Sequence, residues 1–428
     1  MTLYGYDVFD RLIENTLPDN AVVRRNFASH SREDLPTLIS VNNIVLGEQV
    51  FDGLDRRTKA ITGGREQVFD YEPGQTEPKT VTTPGGKVIE YRYMPQLGSE
   101  PVMRRLPRFA AEGLFDEATY EYDKDNARLL SCQEQGIQLK RDYFSTGEPK
   151  SETRTVEGTE YTMNYEYSRL GRLSGYIDVL GQKQTYRYDA KGRLEHTQLG
   201  TTTSTFTYDS LGRTATIRTS DSASVQSVGI TLTYDEFDRE TLREFDLNGV
   251  KQQLSQVYND VDGLDQRTLE EGGVVLRDET YRYDPRGRLT RYDCTGTQPP
   301  VDPYNKAIIS QAFTFSELDN MRIVLTTFAG GNNRATYTYD TVDPTQLRKV
   351  ANTHADYPKE ITLDYNLDGH LISDEEQRTL EYDALGRLIS VSAAPGETPG
   401  SYSYDPLRLW MAHEIGIEDL KGVFHGRS

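Results

Sequence analysis

Cysteine is almost missing from this chain. Its 428 residues hold two, Cys132 and Cys294. Two thiols build neither a disulfide framework nor a multi-cysteine metal site, so both are expected as partly buried free thiols. Long apolar runs are missing too. None approaches the ~20 residues of a membrane span. The start, Met1-Thr2-Leu3-Tyr4-Gly5-Tyr6-Asp7, lacks the basic and apolar regions of a secretory signal. The expected product is a soluble chain made in the cytoplasm, with any export using another route. Positive charge is short as well: 48 Lys and Arg face 67 Asp and Glu, a net −19. That balance argues against nucleic acid and anionic membranes as partners. Hydrophobic residues reach only 36% and mean hydropathy is −0.68, little for a thick core. Helical periodicity is not evident before Trp410. Disorder does not follow, because disordered chains are poor in aromatics and this one has 28 Tyr and 14 Phe. Tyrosine buries a ring and keeps a hydroxyl wet, which suits a thin structure with much surface.

What fills the sequence is a repeat, and repeats are sought first. Tyr188-Asp189-Ala190-Lys191-Gly192-Arg193-Leu194 is one copy. Tyr208-Asp209 with Gly212-Arg213 is the next, followed by Tyr283-Asp284 with Gly287-Arg288 and Tyr382-Asp383 with Gly386-Arg387. Leu232–Arg239 is a further copy, Tyr258-Asn259 a degenerate one, and weaker copies lie at Tyr165–Leu173, Phe313–Met321, Tyr337–Asp340, Leu363–Leu371 and Tyr402–Leu407, and upstream at Tyr4–Leu12 and Tyr120–Leu129. Phe51-Asp52, Phe69-Asp70 and Tyr91-Arg92-Tyr93 read as eroded copies. From Asp189 to Asp405 nine steps average 24 residues, with unequal lengths. The constant part is therefore a turn, and the variable part is strand plus loop.

One copy explains itself physically. Tyr-x-Tyr alternates with period two, so both rings fall on one strand face. Asp can accept backbone N–H bonds in the turn. Gly three residues later takes positive φ at little cost, as a type I turn with a bulge requires. Arg-Leu then starts the return strand. Serial hairpins of this kind predict an all-β fold: one antiparallel strip that twists and curls into an open spiral or half-shell. Three regions are expected: residues 1–115 with eroded repeats, a regular strip over 116–410, and a non-repeat tail over 411–428.

The Tyr-Asp-x-x-Gly-Arg-Leu signature resembles the Rhs or YD-repeat family. That family includes bacterial Rhs polymorphic toxins, the B and C components of insecticidal toxin complexes, and, more distantly, teneurins. The resemblance implies a β-strip spiralled into a hollow shell, which in bacterial members encloses a toxic C-terminal domain. It also implies a toxin passenger or second shell component as partner, and delivery through a toxin or contractile secretion system. A shell half of this length is expected to close by pairing with such a partner or by self-association. Bacterial shells of the family end in a self-cleaving motif, roughly Asp-x-x-Gly and then Asp-Pro-x-Gly. Nothing here matches it, and the turn Gly expected before Arg408 is missing. Self-cleavage and toxin chemistry are therefore not carried over, and both ends read as cuts through a longer array.

Chemical alternatives are weaker than the repeat. Asp364 to Glu375 satisfies a twelve-residue Ca²⁺-loop pattern with Gly369 at position six. The same residues align with the repeat, however, and their flanks read as strands. The recurring Asp is expected as a turn residue, because catalytic pairs are few and share one pocket. The six His residues have no metal-ligand spacing. The expectation is a non-enzymatic scaffold with no cofactor and no metal. Its structural residues are Tyr188, Asp189, Gly192, Arg193, Tyr208, Asp209, Gly212, Arg213, Tyr283, Asp284, Gly287, Arg288, Tyr382, Asp383, Gly386 and Arg387. The tyrosine rings are expected to pair across strands. A second reading uses their exposed faces to stack on carbohydrate or to recognise a cell surface.

Overall fold

A computed structural model describes residues 1–109, 113–393, 398–407 and the backbone of 410–414. The fold is all-β. Among the described residues the one helical element is a single 3₁₀ turn, Pro95–Leu97. From Leu3–Tyr6 to Glu360–Thr362, thirty-one strands form one sheet. Each pairs antiparallel with its neighbours in sequence, as in Tyr186↔Thr197, Phe206↔Ile217 and Tyr281↔Tyr292. The sheet is an open meander and does not close into a barrel. Two further hairpin groups follow, Asp364–Tyr365 with Leu371–Ser373, and four strands from Leu380–Tyr382 to Trp410–Glu414.

The strands form where β-branched and aromatic residues alternate with polar ones. In Thr202–Tyr208, Phe206 and Tyr208 are half-buried while Thr205 and Thr207 face solvent. In a meander the turns alternate between two edges. One edge carries the Tyr-Asp turns. The other carries mostly two-residue turns such as Gly63-Gly64, Asn248-Gly249 and Gly272-Gly273, with positive φ at both residues, the geometry that matches strand twist.

No large core exists among the described residues. Buried apolar side chains form small clusters, one of Ile89, Leu106 and Ala384, another of Tyr292, Cys294 and Ile308. The first cluster joins distant parts of the chain, and other contacts do the same. The Gly85 N–H donates to Asp368, 283 residues away, and the Tyr120 hydroxyl donates to the Pro406 carbonyl, 286 away. Arg286 pairs with Asp19 and Arg65 with Asp343. A strip that meets itself after some 253 to 302 residues is a spiral with a second winding begun. The Tyr-Asp edge of residues 284–407 sits on the opposite edge of residues 17–154.

One expectation needs correction. Phe51-Asp52 is a complete copy: Asp52 accepts from the Leu54 and Arg56 N–H groups and from the Arg56 guanidinium. Trp410–Glu414 pairs with Gly400–Tyr404. Residues 415–428 and the Arg408 position lie outside the described residues. Within the Ca²⁺-loop pattern, Asp364-Tyr365 and Leu371–Ser373 are paired strands, and Asp374 opens a further turn closed by Arg378.

Candidate functional site

The repeating turn is the one constellation that recurs along the chain. In the consensus copies a single carboxylate satisfies three donors, and at Asn259 and Ser316 an amide or hydroxyl oxygen takes the two backbone N–H bonds. Asp189 accepts from the Lys191 and Arg193 N–H groups, both at 2.9 Å, and from Arg193 Nε at 2.8 Å. Asp209 does the same with Leu211, Arg213 and Arg213 Nε. Asp284 uses Arg286, Arg288 and Arg288 Nε, and Asp383 uses Leu385, Arg387 and Arg387 Nε. The backbone closes beneath it: Gly192 N–H donates to the Asp189 carbonyl and Asp189 N–H to the Arg193 carbonyl. The ladder then slips by one residue beyond Arg187, so Tyr188 faces Leu194. This is a type I turn with a bulge. The hydrogen bond from the Arg193 N–H holds the Asp189 carboxyl below the ordinary range, and the Arg213 guanidinium does so at Asp209. At Asp284 burial opposes the effect, but the Arg288 bonds still win.

Neighbouring copies are tied to one another. The guanidinium that braces one turn also lies over the aromatic ring of the next. Arg193 stands 4.1 Å from the Tyr208 ring centre, Arg213 4.6 Å from Tyr234 and Arg387 5.1 Å from Tyr404. The same tyrosines reach back with their hydroxyls. Tyr208 donates to the Leu194 carbonyl at 2.7 Å, Tyr188 to Leu173, Tyr283 to Leu264 and Tyr234 to Thr214. That carbonyl belongs to the residue opening the return strand, beside the bulge. The consensus is thus read across two copies: Arg and Leu of one receive Tyr of the next. Rings do pair in places, as Tyr281 with Tyr292, but these tyrosines have an Arg for a neighbour more regularly than another ring.

The second site is the seam between windings. Glu134, nearly buried, accepts from Arg104 at 2.8 Å and from Arg387 at 3.3 Å. Arg104 also donates to the Pro406 carbonyl. Such buried charges need partners: Arg104 and Glu134 pair within the first winding, and Arg387 and the Pro406 carbonyl reach them from the second.

Residues 115–299 match the family model described as Teneurin YD-shell. Over those residues the chain is similar to a YD shell. Its fold is shared with crystal structures of TcdB2-TccC3-TEV (13% identity, TM-score 0.62, 95% of this chain) and TcdB2-TccC3-Cdc42 (12%, 0.57, 96%). A Tc holotoxin pore of Photorhabdus luminescens is also similar (13%, 0.54, 96% of this chain). The chain spans about a quarter of the length of these structures. No curated protein matches it by sequence.

Turns on the opposite edge also use this closure, without a tyrosine before the acid. Asp178, Asp302 and Asp374 form the same closure with Gln182, Lys306 and Arg378. Other copies replace the turn Gly by Asp. Asp238, Asp262 and Asp319 sit at φ 63–64°, and their carboxylates reach back to Arg213, Arg239 and Arg288. The visible signal was Asp three residues after the first turn residue, Asp235, Asn259 or Ser316. At His370 the imidazole takes the place of the repeat Arg and lies 4.8 Å from the Tyr382 ring. Both thiols are buried, and burial pushes that of Cys132 up to about 12. Among the described residues no group of three or more His, Cys, Asp or Glu could hold a metal ion, and no helix is long and apolar enough to cross a membrane.

Proposed function

We propose that this YD strip is a non-enzymatic wall segment of a shell that encloses a toxic passenger chain. The observation that carries the reading is the self-overlap: a curved strip whose second winding rests on its first encloses space. The recurring carboxylates are each spent on two backbone N–H groups and a guanidinium, which leaves them unsuited to proton transfer. The passenger follows from the likeness to toxin-complex structures and is part of the proposal. A protease-sensitive unfolded reporter fused after residue 428 tests it. Enclosure protects the reporter at protease doses that degrade it when free. Equal degradation in the two settings overturns enclosure.

A second reading has one observation in its favour. A cavity of about 540 Å³ is lined by Tyr91, Tyr120, Tyr122 and Tyr143 with Arg104 and Arg141. Aromatic and guanidinium surfaces of this kind suit a sugar. Glycan titration against Tyr91→Ala separates this reading from the first.

A further inference from the structure

We infer that the two open edges of the strip are complementary, so that a second copy of this chain stacks head to tail on the first. The argument starts from the seam inside one molecule. At one point of it the third and fourth residues of a YD turn press on a two-residue turn of the winding below. Val342 and Asp343 lie over Gly63-Gly64 so closely that a Cβ on Gly63 would stand 2.3 Å from Asp343, and one on Gly64 2.6 Å from Val342. Ala384 and Leu385 pack against Ile89 and Leu106. Ion pairs such as Arg286–Asp19 fix the register.

The same two surfaces exist uncovered elsewhere. Gly272-Gly273 repeats the Gly63-Gly64 turn, with φ 58° and 81° against 54° and 73°. Yet a Cβ on either Gly272 or Gly273 would meet nothing within 4 Å. On the opposite edge, the third turn residues Leu170, Leu211, Phe237 and Val261 are 81%, 73%, 67% and 83% exposed, whereas in the seam Leu385 is half-buried and Val342 reaches Gly64 with 68% of its surface still exposed. A row of apolar tips of this kind marks a contact surface. Both edges repeat every second strand, about 9–10 Å, so one contact in register brings the rest with it. The occupant the edge fits is therefore the facing edge of the same strip. A second copy supplies it whatever the shell contains, so the inference stands apart from the passenger.

Such a contact is heterologous and leaves a free edge at each end of the stack. Sedimentation of the 428-residue chain tests it. Two variants block one edge each. Leu211→Glu with Phe237→Glu charges the YD tips. Gly272→Asn keeps a sequence that two-residue turns favour but fills the space a partner would enter. We expect concentration-dependent association in the parent. Each variant should weaken it about tenfold or more, as loss of buried anchors does, with an unchanged melting curve. Mixed together, the variants should form dimers and nothing larger, since each retains one sound edge. A monomer at the highest soluble concentration overturns the inference. So does association that survives both variants, or a mixture that fails to dimerise.

Discussion

Gly212 is where the turn chemistry can be measured most cleanly. Its φ is 92°, and a Cβ there would touch only Arg193 Nη1, at 3.6 Å. There is room, so a side chain at this site costs backbone strain and little else. Valine should lose about 1–2 kcal/mol, the cost of an L residue in the left-handed region. Aspartate should behave differently. At the equivalent position Asp238, Asp262 and Asp319 reach the preceding arginines at 2.5, 2.7 and 2.8 Å. These acids are mostly exposed, so such a pair contributes about 0.2–1 kcal/mol, and Asp tolerates the left-handed region better than most residues. Gly212→Asp should therefore stay within about 0.5 kcal/mol of the parent, and the advantage should vanish when Arg193→Gln removes its partner. A global melt is a poor assay. At about 2.1 cal/mol/K per residue, a chain of this length shifts only about 1 °C per kcal/mol, and repeat arrays open locally. Native-state hydrogen exchange at the Asp209 and Gly212 amides, which close the turn, reads the local opening directly. If Gly212→Asp opens as readily as Gly212→Val, the account of the fourth turn position is wrong.

Four other outcomes follow from the geometry. Glu134→Ala should leave the guanidiniums of Arg104 and Arg387 without their shared partner, at a cost of about 3–5 kcal/mol; proteolysis should then release residues 360–407 while exchange over strands 202–283 is unchanged. The turn carboxyls of Asp189, Asp209 and Asp284 sit below their ordinary value when folded, so their stabilisation is complete above the unfolded pKa of about 3.9 and falls away at lower pH; denaturant midpoints should be flat near neutrality and drop below about pH 4. Burial raises the phenol of Tyr281 to about 12 and that of Tyr283 above its ordinary value; absorbance at alkaline pH should show these rings ionising late, and together with unfolding. Cys132 and Cys294 should resist a thiol reagent in the native chain, reacting only as fast as their strands open; rapid labelling of either would contradict its burial.

The hairpin module was legible in the residues because its determinants are local. Tyr-x-Tyr, the turn Asp and the Gly at positive φ lie within seven residues, and their geometry follows from chain sterics. Copies such as Phe51-Asp52 were harder to see because the pattern tolerates Asp for Gly, as at Asp55 with φ 63°. Asp374 was masked by a Ca²⁺-loop pattern that drew attention to the wrong spacing. What the sequence did not reveal was the pairing of copies. Nothing in Arg193 alone says that it covers Tyr208, or that Tyr208 caps Leu194. That tie depends on strand length between turns, which varies. The seam was out of reach for a stronger reason. Arg387 and Glu134 are separated by 253 residues, and their meeting is set by the accumulated twist of every strand between them.

The third turn residue differs from copy to copy for the same reason. The Asp, Gly and Arg positions serve the turn itself and the next copy, so every copy needs them or a close substitute. The third residue points along the edge and answers only to what lies there. Lys191 meets solvent and is charged. Leu385 meets Ile89 and Leu106 and is apolar. Arg286 meets Asp19 and is cationic, its side chain only 6% exposed. The Arg286 case separates position from composition: it is a charged residue in a turn, which read alone is a solvated tip, yet it is buried because a winding lies beneath it. By the same reasoning the leucines, phenylalanine and valine at the third positions between residues 168 and 263 are out of keeping with the solvent around them in a lone chain. Either they are neutral accidents of the repeat, in which case charging Leu211 and Phe237 changes nothing but solubility, or they answer to an edge that a single copy does not provide. A sedimentation profile that shifts when those two residues are charged, with the turn amides still protected, decides between these.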